Sequence, residues 1–576
     1  MRILLLAHSF NCLTQRLYVE LRAAGHDVSV EFDVRDSVTE EAVALWRPEL
    51  IVAPFLKRRI PDSVWRRHRC IVIHPGVEGD RGPSALDWAI ANGDTEWGVT
   101  ALEANGEMDA GDVWASVGFP MREATKSSLY RNEITEAAVV ALSETLGRMA
   151  RGEKARPLDC ARAGLRGQLR PAMKQADRAI DWRADSTSAV LRKIRAADGA
   201  PGVRDEVLGV AVHLFGGHRE GRLAGRAGDV VGQRDGAILR ATVDGAVWIT
   251  HLRHASDDVP SLKLPAAMVL GERLAGVPQV PLAFDAQVDY PTWREIRYEE
   301  DGAVGYLDFP FCNGAMGTNA CERLRAAFAY ARSRPTRVIV LMGGPDFWSN
   351  GIDLNLIEAH AHPAEESWRN INAMDDLVRD IVECGGQLVV AAMQGNAGAG
   401  GVFLALAADH VYARSGAILN PHYKGMGNLY GSEYWTYLLP RRLSTDRAEA
   451  ITQGRQPMAA PAAAASGLID DHFGASASDF RAEVARRAQA LAVAPSFAAV
   501  LAARNARRAA DEARKPLAAY RAEELARMRL NFFGFDPSYH VARHGFVFKL
   551  PRSRTPLWLA RHRGVASARG EARASR

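Results

Sequence analysis

Two groups of residues in this 576-residue chain have the types and spacing for acyl chemistry. In the second half, Phe347-Trp348-Ser349-Asn350-Gly351-Ile352-Asp353 and Gly395-Asn396-Ala397-Gly398-Ala399-Gly400-Gly401 are glycine-bearing stretches that follow apolar runs. A carbonyl that gains negative charge during reaction is stabilised by two backbone N–H groups aimed at its oxygen. Glycine lets a backbone come close to a ligand with no Cβ in the way. The candidate donors are the N–H groups of Ile352 and of Gly400. Gly400 opens a helix expected over Val402 to Ala408, whose start adds positive potential. In the first half, an apolar run ends at His74-Pro75-Gly76. Arg81-Gly82-Pro83-Ser84-Ala85-Leu86, Glu96-Trp97-Gly98-Val99-Thr100 and Met108-Asp109-Ala110-Gly111-Asp112 follow. An imidazole beside a carboxylate makes an acid–base pair that works near neutral pH, and Asp109 and Asp112 compete for the carboxylate role.

The elements that must carry these residues can be read from hydrophobic patterning. Met1 to Ala7, Val28 to Phe32, Leu50 to Ala53 and Cys70 to Ile73 read as buried parallel strands. Helices are expected between them over Leu13 to Ala24 and Glu40 to Trp46. Alternating strands and helices predict a doubly wound α/β sheet, and ligands of such sheets bind beyond the strands' carboxyl ends. That rule places His74 where chemistry collects. Two more strands, Val99 to Glu103 and Asp112 to Val117, precede a helix over Leu129 to Arg151. Gly152 to Arg170 is basic and irregular, a linker by composition. Val207 to Leu252 turns to short Gly- and Val-rich segments, a small β-rich domain. Pro278, Pro281 and Pro291 punctuate a second linker. Strands are then expected at Ile296 to Phe309, Arg337 to Met342, Leu388 to Met393 and Ala407 to Ala413. Phe480 to Arg514 reads as an Ala/Arg-rich helix, and the residues after Phe546 as a solvated basic tail.

Composition excludes several classes. With 47% hydrophobic and 24% charged residues the chain is an ordinary globular one. A net charge of +4 is too weak to argue for nucleic acid. Cys12, Cys70, Cys160, Cys312, Cys321 and Cys384 are scattered without a C-x-x-C pair, which argues against zinc or a disulfide framework. No stretch is long and apolar enough to span a membrane, and Met1 to Ala7 is too short for a signal segment. A cytoplasmic location is expected.

The glycine stretches resemble the paired oxyanion segments of the crotonase (enoyl-CoA hydratase/isomerase) superfamily. Phe309 to Met316 falls where that superfamily's first CoA-contacting loop falls. The resemblance implies CoA contacts at Asn313, Ala315, Met316, Gly351 and Asp353. Gly467-Leu468-Ile469-Asp470 matches a familiar downstream segment. Hydratases carry two glutamates whose aligned positions here are Phe403 and Tyr423. Water addition normally needs both acid/base groups, so hydration is not expected. An apolar pocket with one phenol suits a reaction that excludes water. Tyr423 is the candidate proton carrier, against a plain packing role. Glu433, in Gly431-Ser432-Glu433-Tyr434, is a second candidate, although a solvated helix glutamate is the more ordinary reading.

The His74 series resembles the folate-dependent formyltransferases, including methionyl-tRNA formyltransferase. The resemblance implies that His74 shuttles protons and that Asp109, chosen over Asp112 by the family spacing, orients and charges it. It implies formyl-folate contacts at Arg81, Leu86, Val99 and Met108. Ala179-Ile180-Asp181-Trp182 and the β-rich stretch after it are similar to that family's small second domain. One departure stands out: an asparagine is usual two residues before the histidine, and here that residue is Val72.

The fusion of both halves resembles the HoxX family of hydrogenase maturation proteins. The similarity includes Asn420-Pro421-His422-Tyr423-Lys424 through Tyr434-Trp435-Thr436-Tyr437. It implies formyl transfer from 10-formyltetrahydrofolate to coenzyme A, then decarbonylation of formyl-CoA to CO and CoA for the [NiFe]-hydrogenase iron. Formyl-CoA has no α-carbon, so hydration and enolate chemistry are closed to it. The implied co-substrates are 10-formyltetrahydrofolate and coenzyme A, with no metal. The implied partners are small-molecule substrates and the hydrogenase large-subunit precursor or its maturation machinery, with no nucleic acid and no membrane. The expected fold is α/β. A Rossmann-like formyltransferase domain (residues 1–165) and a small β-rich, OB-like domain (170–275) lead into a crotonase-fold domain (295–500). A helical, basic C-terminal extension (501–576) completes the chain. Two alternatives stay open. One is an amine or amino-sugar formyltransferase fused to an acyl-CoA hydrolase or isomerase. The other is a non-catalytic one-carbon carrier that docks on a hydrogenase precursor.

Overall fold

A computed structural model of the chain describes residues 1–256 and 261–564. These divide into two compact units: residues 1–256, 265–278 and 551–564 in the first, residues 261–264 and 279–550 in the second. The first unit opens with β1 (Arg2–Ala7), β2 (Asp27–Phe32), β3 (Leu50–Phe55), β4 (Cys70–His74), β5 (Glu96–Glu103) and β6 (Val113–Pro120). They form one sheet in the order β2-β1-β3-β4-β5-β6. β1 to β4 run parallel, and β5 and β6 are antiparallel to their neighbours. β1 shows why these runs are strands. Ile3 and Leu5 enter one core and Leu4 and Leu6 the other, all buried. A strand covered on both faces reads as an unbroken apolar run rather than an alternating one. The helix Cys12–Ala23 is started by Asn11, whose side chain accepts the Thr14 N–H at 2.9 Å.

Residues 152–170, expected as a linker, hold only isolated bridges but are pinned to the sheet. Arg156 and Val113 exchange backbone hydrogen bonds of 2.9 and 2.7 Å, and Arg81 pairs with Gln168 and Arg170 at 3.0 and 2.9 Å. The segment thereby covers the loop that follows His74. The rest of this unit is β-rich, with β7 (Val203–Val207), β8 (Val210–Glu220), β9 (Val230–Arg234), β10 (Ala237–Thr242) and β11 (Gly245–His254). The order is β7-β8-β11-β10-β9, with a two-residue β12 (Leu264–Pro265) on β11. Val190, Leu191 and Ile194 of the helix Thr187–Ala197 fill its core.

The second unit holds ten strands in two sheets. They are β13 (Arg297–Asp301), β14 (Val304–Asp308), β15 (Val338–Gly343), β16 (Phe347–Ser349), β17 (Leu388–Met393), β18 (Asn396–Gly398), β19 (His410–Arg414), β20 (Ile418–Asn420), β21 (Met458–Ala459) and β22 (Asp471–Phe473). The large sheet runs β13-β14-β15-β17-β19-β22 and the small one β16-β18-β20-β21. Helices Thr318–Ser333 and Pro363–Val382 pack on the large sheet through Leu324, Phe328, Met374 and Val378. The single helix expected over Phe480 to Arg514 is two helices, Ala477–Val493 and Phe497–Arg514. Pro495 parts them by forcing Ala494 into an extended conformation (φ −58°, ψ 131°). Helices Leu517–Phe533 and Ser538–Val547 each start directly after a proline. Among the described residues, no helix is long and apolar enough to cross a membrane.

The solvated tail expected after Phe546 is corrected over residues 555–563. Thr555, Leu559, Ala560 and His562 are buried against β2. The Val30 N–H donates to Leu559 O at 3.0 Å and the Phe32 N–H to Thr555 Oγ1 at 2.7 Å. His562 lies 2.9 Å from Glu31 Oε2. Burial alone would raise the Glu31 carboxyl, but hydrogen bonds from His562 and Thr555 outweigh it and hold it low. An edge strand needs such cover. Residues 565–576, the last part of that basic tail, lie outside the described residues. Leu559→Ala is expected to cost about 2–5 kcal/mol, measured by denaturant unfolding of the first unit's tryptophans.

Candidate active sites

His74 closes β4, and its ring meets two carboxylates. Nε2 lies 3.1 Å from Asp80 Oδ1, and Nδ1 lies 3.4 Å from Asp109 Oδ2. Asp109 holds a left-handed φ of 53°, and its Oδ2 also accepts the Gly82 N–H at 3.2 Å. Asp112 is exposed, so the fold brings Asp109 to the imidazole and leaves Asp112 outside. Asp80 was not foreseen from sequence. Its side chain is fully buried, with Arg170 Nε 3.8 Å from Oδ2. The only signal was an acid between Gly79 and Arg81 in a loop after a strand end. Gly76 makes the approach feasible, since a Cβ there would stand 2.4 Å from His74 Nε2 and 2.9 Å from Asp80 Oδ1. A carboxylate beside each nitrogen fixes the orientation of the ring.

The other first-site residues are placed diversely. Arg81 Nη1 stands 3.7 Å from Glu107. Leu86 and Val99 are buried in the sheet core, whereas Met108 is exposed on the loop before Asp109. Val72 is half-buried and packs into the core of the opposite sheet face.

In the second unit, β16 and β18 pair in parallel through Phe347 with Asn396 and Ser349 with Ala397. This sets the two glycine stretches side by side. Gly351 has φ 80°, and a Cβ on it would lie 3.4 Å from Gly400 N. The N–H groups of Ile352 and Gly400 meet no acceptor among the described residues. The loop carrying Asn313, Ala315 and Met316 is stitched to the same place. The Met316 N–H donates to Gly351 O at 2.9 Å and the Asn350 N–H to Gly314 O at 2.7 Å. Asn313 is exposed with φ 55°, and Ala315 is half-buried. Asp353 caps the helix Leu354–Ala359 by accepting the Asn355 and Leu356 N–H groups. The helix expected from Val402 to Ala408 spans Gly400–Leu406, entirely buried.

Phe403 and Tyr423 stack at 5.4 Å and 16°. The Tyr423 hydroxyl lies 2.5 Å from Glu433 Oε2 and 3.0 Å from Ser432 O. The expectation of a solvated helix glutamate at Glu433 is corrected. Glu433 is 1% exposed, lies outside any helix and has φ 59°. Its carboxyl sits over the second glycine stretch, since a Cβ on Gly400 would fall 2.1 Å from Oε1. Burial, then the charge of Asp375, pushes the Glu433 carboxyl up to about 8. Burial, then Glu433, keeps the Tyr423 phenol far above its ordinary value. The site therefore places two backbone donors and a proton-holding phenol–carboxyl pair in one dry place. Two carboxylates behind it, Asp375 and Glu524, were also missed. Their signal was a charge on the apolar stripe of a helix, Ile371, Met374, Asp375, Val378 in one and Leu517, Glu524, Met528 in the other. No group of three or more His, Cys, Asp or Glu among the described residues is arranged to hold a metal ion.

Comparison with known proteins agrees with this division. A formyl transferase family model matches residues 23–146, a formyl transferase C-terminal domain model residues 172–262, and an enoyl-CoA hydratase/isomerase model residues 303–530. The chain is 55% identical to a hydrogenase maturation factor HoxX of Bradyrhizobium diazoefficiens over 564 residues, covering 98% of this chain and 97% of that one. A methionyl-tRNA formyltransferase of Geobacter sulfurreducens is 25% identical over 239 residues, 38% of this chain and 73% of its own. Among solved structures, HypX from Aquifex aeolicus in complex with tetrahydrofolic acid aligns at TM-score 0.95 and 48% identity, over 98% of this chain and 99% of its own. With more than half its residues identical over nearly its full length, the chain belongs to the HoxX family of hydrogenase maturation factors.

Proposed function

We propose that the protein makes carbon monoxide for a [NiFe]-hydrogenase in two steps, one in each unit. In the first, His74 takes the thiol proton of coenzyme A and returns it to N10 of 10-formyltetrahydrofolate as the formyl C–N bond breaks and a C–S bond forms. Asp109 and Asp80 hold the ring for this exchange. Arg81, Leu86, Val99 and Met108 are the proposed formyl-folate contacts. Asn313, Ala315, Met316, Gly351 and Asp353 are the proposed CoA contacts. In the second step, the Ile352 and Gly400 N–H groups polarise the formyl carbonyl. The C–S bond breaks, the sulfur receives a proton from the Tyr423–Glu433 pair, and the formyl proton replaces it in that pair. Carbon monoxide and coenzyme A leave with no net proton consumed. The observation that carries this reading is Glu433 lying over Gly400 and bonded to Tyr423, with Phe403 where a hydratase has a carboxylate. Such a site can move one proton yet holds no second base to activate water. The reading places the protein in the cytoplasm, beside the hydrogenase precursor that receives the product.

The test is substrate coupling. Loss of the formyl group from 10-formyltetrahydrofolate is expected only when coenzyme A is present. Equal loss without it, or faster loss with an amine acceptor, would overturn the reading. Gly400→Ala is expected to slow the second step by about 10²–10⁴-fold, the worth of a positioned acid–base group, since its Cβ displaces Glu433. Thiol-dependent formyl loss, followed at the folate chromophore, should persist.

A further inference from the structure

Glu433 is held by more than Tyr423. Glu433 and Tyr434 are consecutive left-handed residues, with φ 59° and 57°. Side chains other than glycine rarely adopt this, and it persists only where surroundings enforce it. Two buried carboxylates on different helices enforce it here. Asp375, on Pro363–Val382, accepts the Glu433 N–H at 2.8 Å. Glu524, on Leu517–Phe533, accepts the Tyr434 N–H at 2.9 Å and the Thr436 N–H at 2.8 Å. Successive N–H groups in such a turn form a concave anion cradle. The Ser432 hydroxyl joins the two acids, lying 2.9 Å from Asp375 and 3.3 Å from Glu524.

That junction constrains protons. A hydroxyl has one hydrogen, so Ser432 can donate to one carboxyl only. Its contact with the other is satisfied only when that carboxyl is itself protonated. Asp375, Glu433 and Glu524 are all essentially inaccessible. Arg521 is the cation facing them, with Nε 3.6 Å from Asp375 Oδ2, and it is shared with Asp376 at 2.6 Å. Three ionised carboxylates with one shared cation is a costly state in a dry interior. Tyr423 and Cys321, also buried, face Glu433 from other elements and add no positive charge. Arg521 also lines a cleft of about 650 Å³ with Arg379, Asp380 and Tyr434.

We propose that Asp375 and Glu524 are positioning residues for the second site, which lock the Ser432–Thr436 turn so that Glu433 stands over Gly400 and which keep a proton on Glu433 for the Tyr423 pair. Burial, with the charges of Asp375 and Glu524 behind it, holds the proton on Glu433; burial raises Asp375 to about 7, and burial with the charge of Asp375 raises Glu524 to about 8. The three acids titrate as one unit. What the stored proton is used for rests on the decarbonylation reading; that it is stored does not.

The test is a pH titration of the intact protein by infrared difference spectroscopy, following the band of protonated buried carboxyls. Glu433→Gln identifies the Glu433 contribution. Asp375→Asn keeps the size and the acceptor oxygen but removes the charge. It should lower the midpoint of the Glu433 band by about one pH unit or more, and the pH optimum of CO release should fall with it. Glu524→Gln, on a separate helix, should act in the same direction and covers the case in which Asp375→Asn does not fold. An unchanged midpoint in a folded variant would overturn the inference, because lost packing alone slows turnover without moving a titration. A shifted midpoint in a protein that makes no CO would sustain the inference and sink the decarbonylation reading. CO release with an unshifted midpoint would do the reverse.

Discussion

His74→Ala is expected to lower CoA-dependent loss of the formyl group by about 10²–10⁴-fold, the usual worth of a positioned acid–base group. No CO should then form, because the second step lacks its substrate. The basis is geometric. His74 ends β4, is 4% exposed, and carries a carboxylate on each ring nitrogen. Replacing either carboxylate by its amide tells the two apart. Asp109→Asn should act mainly on rate, because Asp109 lies on the more open side of the ring. Asp80→Asn should act on rate and stability together, because Asp80 is fully buried beside Arg170 and removing one partner of a buried pair strands the other. Formyl transfer at an unchanged rate in folded His74→Ala would remove the first site from the account.

Tyr423→Phe is expected to separate the two steps. Formyl transfer to coenzyme A should continue while CO release falls by about 10²–10⁴-fold, so formyl-CoA or its hydrolysis product formate accumulates. The substitution deletes only the hydroxyl that lies 2.5 Å from Glu433. The ring and its stacking on Phe403 stay, so the pocket keeps its shape. Mass spectrometry of the CoA pool and a CO assay on the same sample read both steps. Loss of both together would mean that Tyr423 serves packing of the whole site rather than the proton.

The parts of the molecule legible in the sequence are those where local pattern and burial agree. β1 is an apolar run because both its faces are covered, and His74 could be placed at the end of β4 because an apolar run stops there before Pro-Gly. The two glycine stretches lie side by side, as their composition suggested, because close backbone approach demands glycine at Gly351 and Gly400. Each misreading has a physical cause. Glu433 reads as a solvated acid because nothing in Gly431-Ser432-Glu433-Tyr434 announces a left-handed turn; the acids that hold the turn sit 58 residues from Glu433, at Asp375, and 90 residues from Tyr434, at Glu524. The tail reads as solvated because its buried residues, Thr555, Leu559 and His562, are spaced among arginines, and β2 is more than 500 residues earlier. Residues 152–170 read as a linker because basic, irregular coil looks the same in sequence whether free or pinned. Gly167 is in fact pressed on Gly79 and Asp80, with a Cβ position 1.9 Å from Asp80 N. Only contacts distant in sequence distinguish these cases, and no local pattern carries them.

Carbon monoxide itself is the product to measure. The purified protein would be incubated with coenzyme A and 10-formyltetrahydrofolate labelled with ¹³C in the formyl group, and the gas trapped on haemoglobin. Labelled carbonyl-haemoglobin is expected, requiring both substrates and disappearing with Tyr423→Phe. Labelled formate in place of CO from the folded protein, or CO that forms without coenzyme A, would contradict the proposed two-step synthesis.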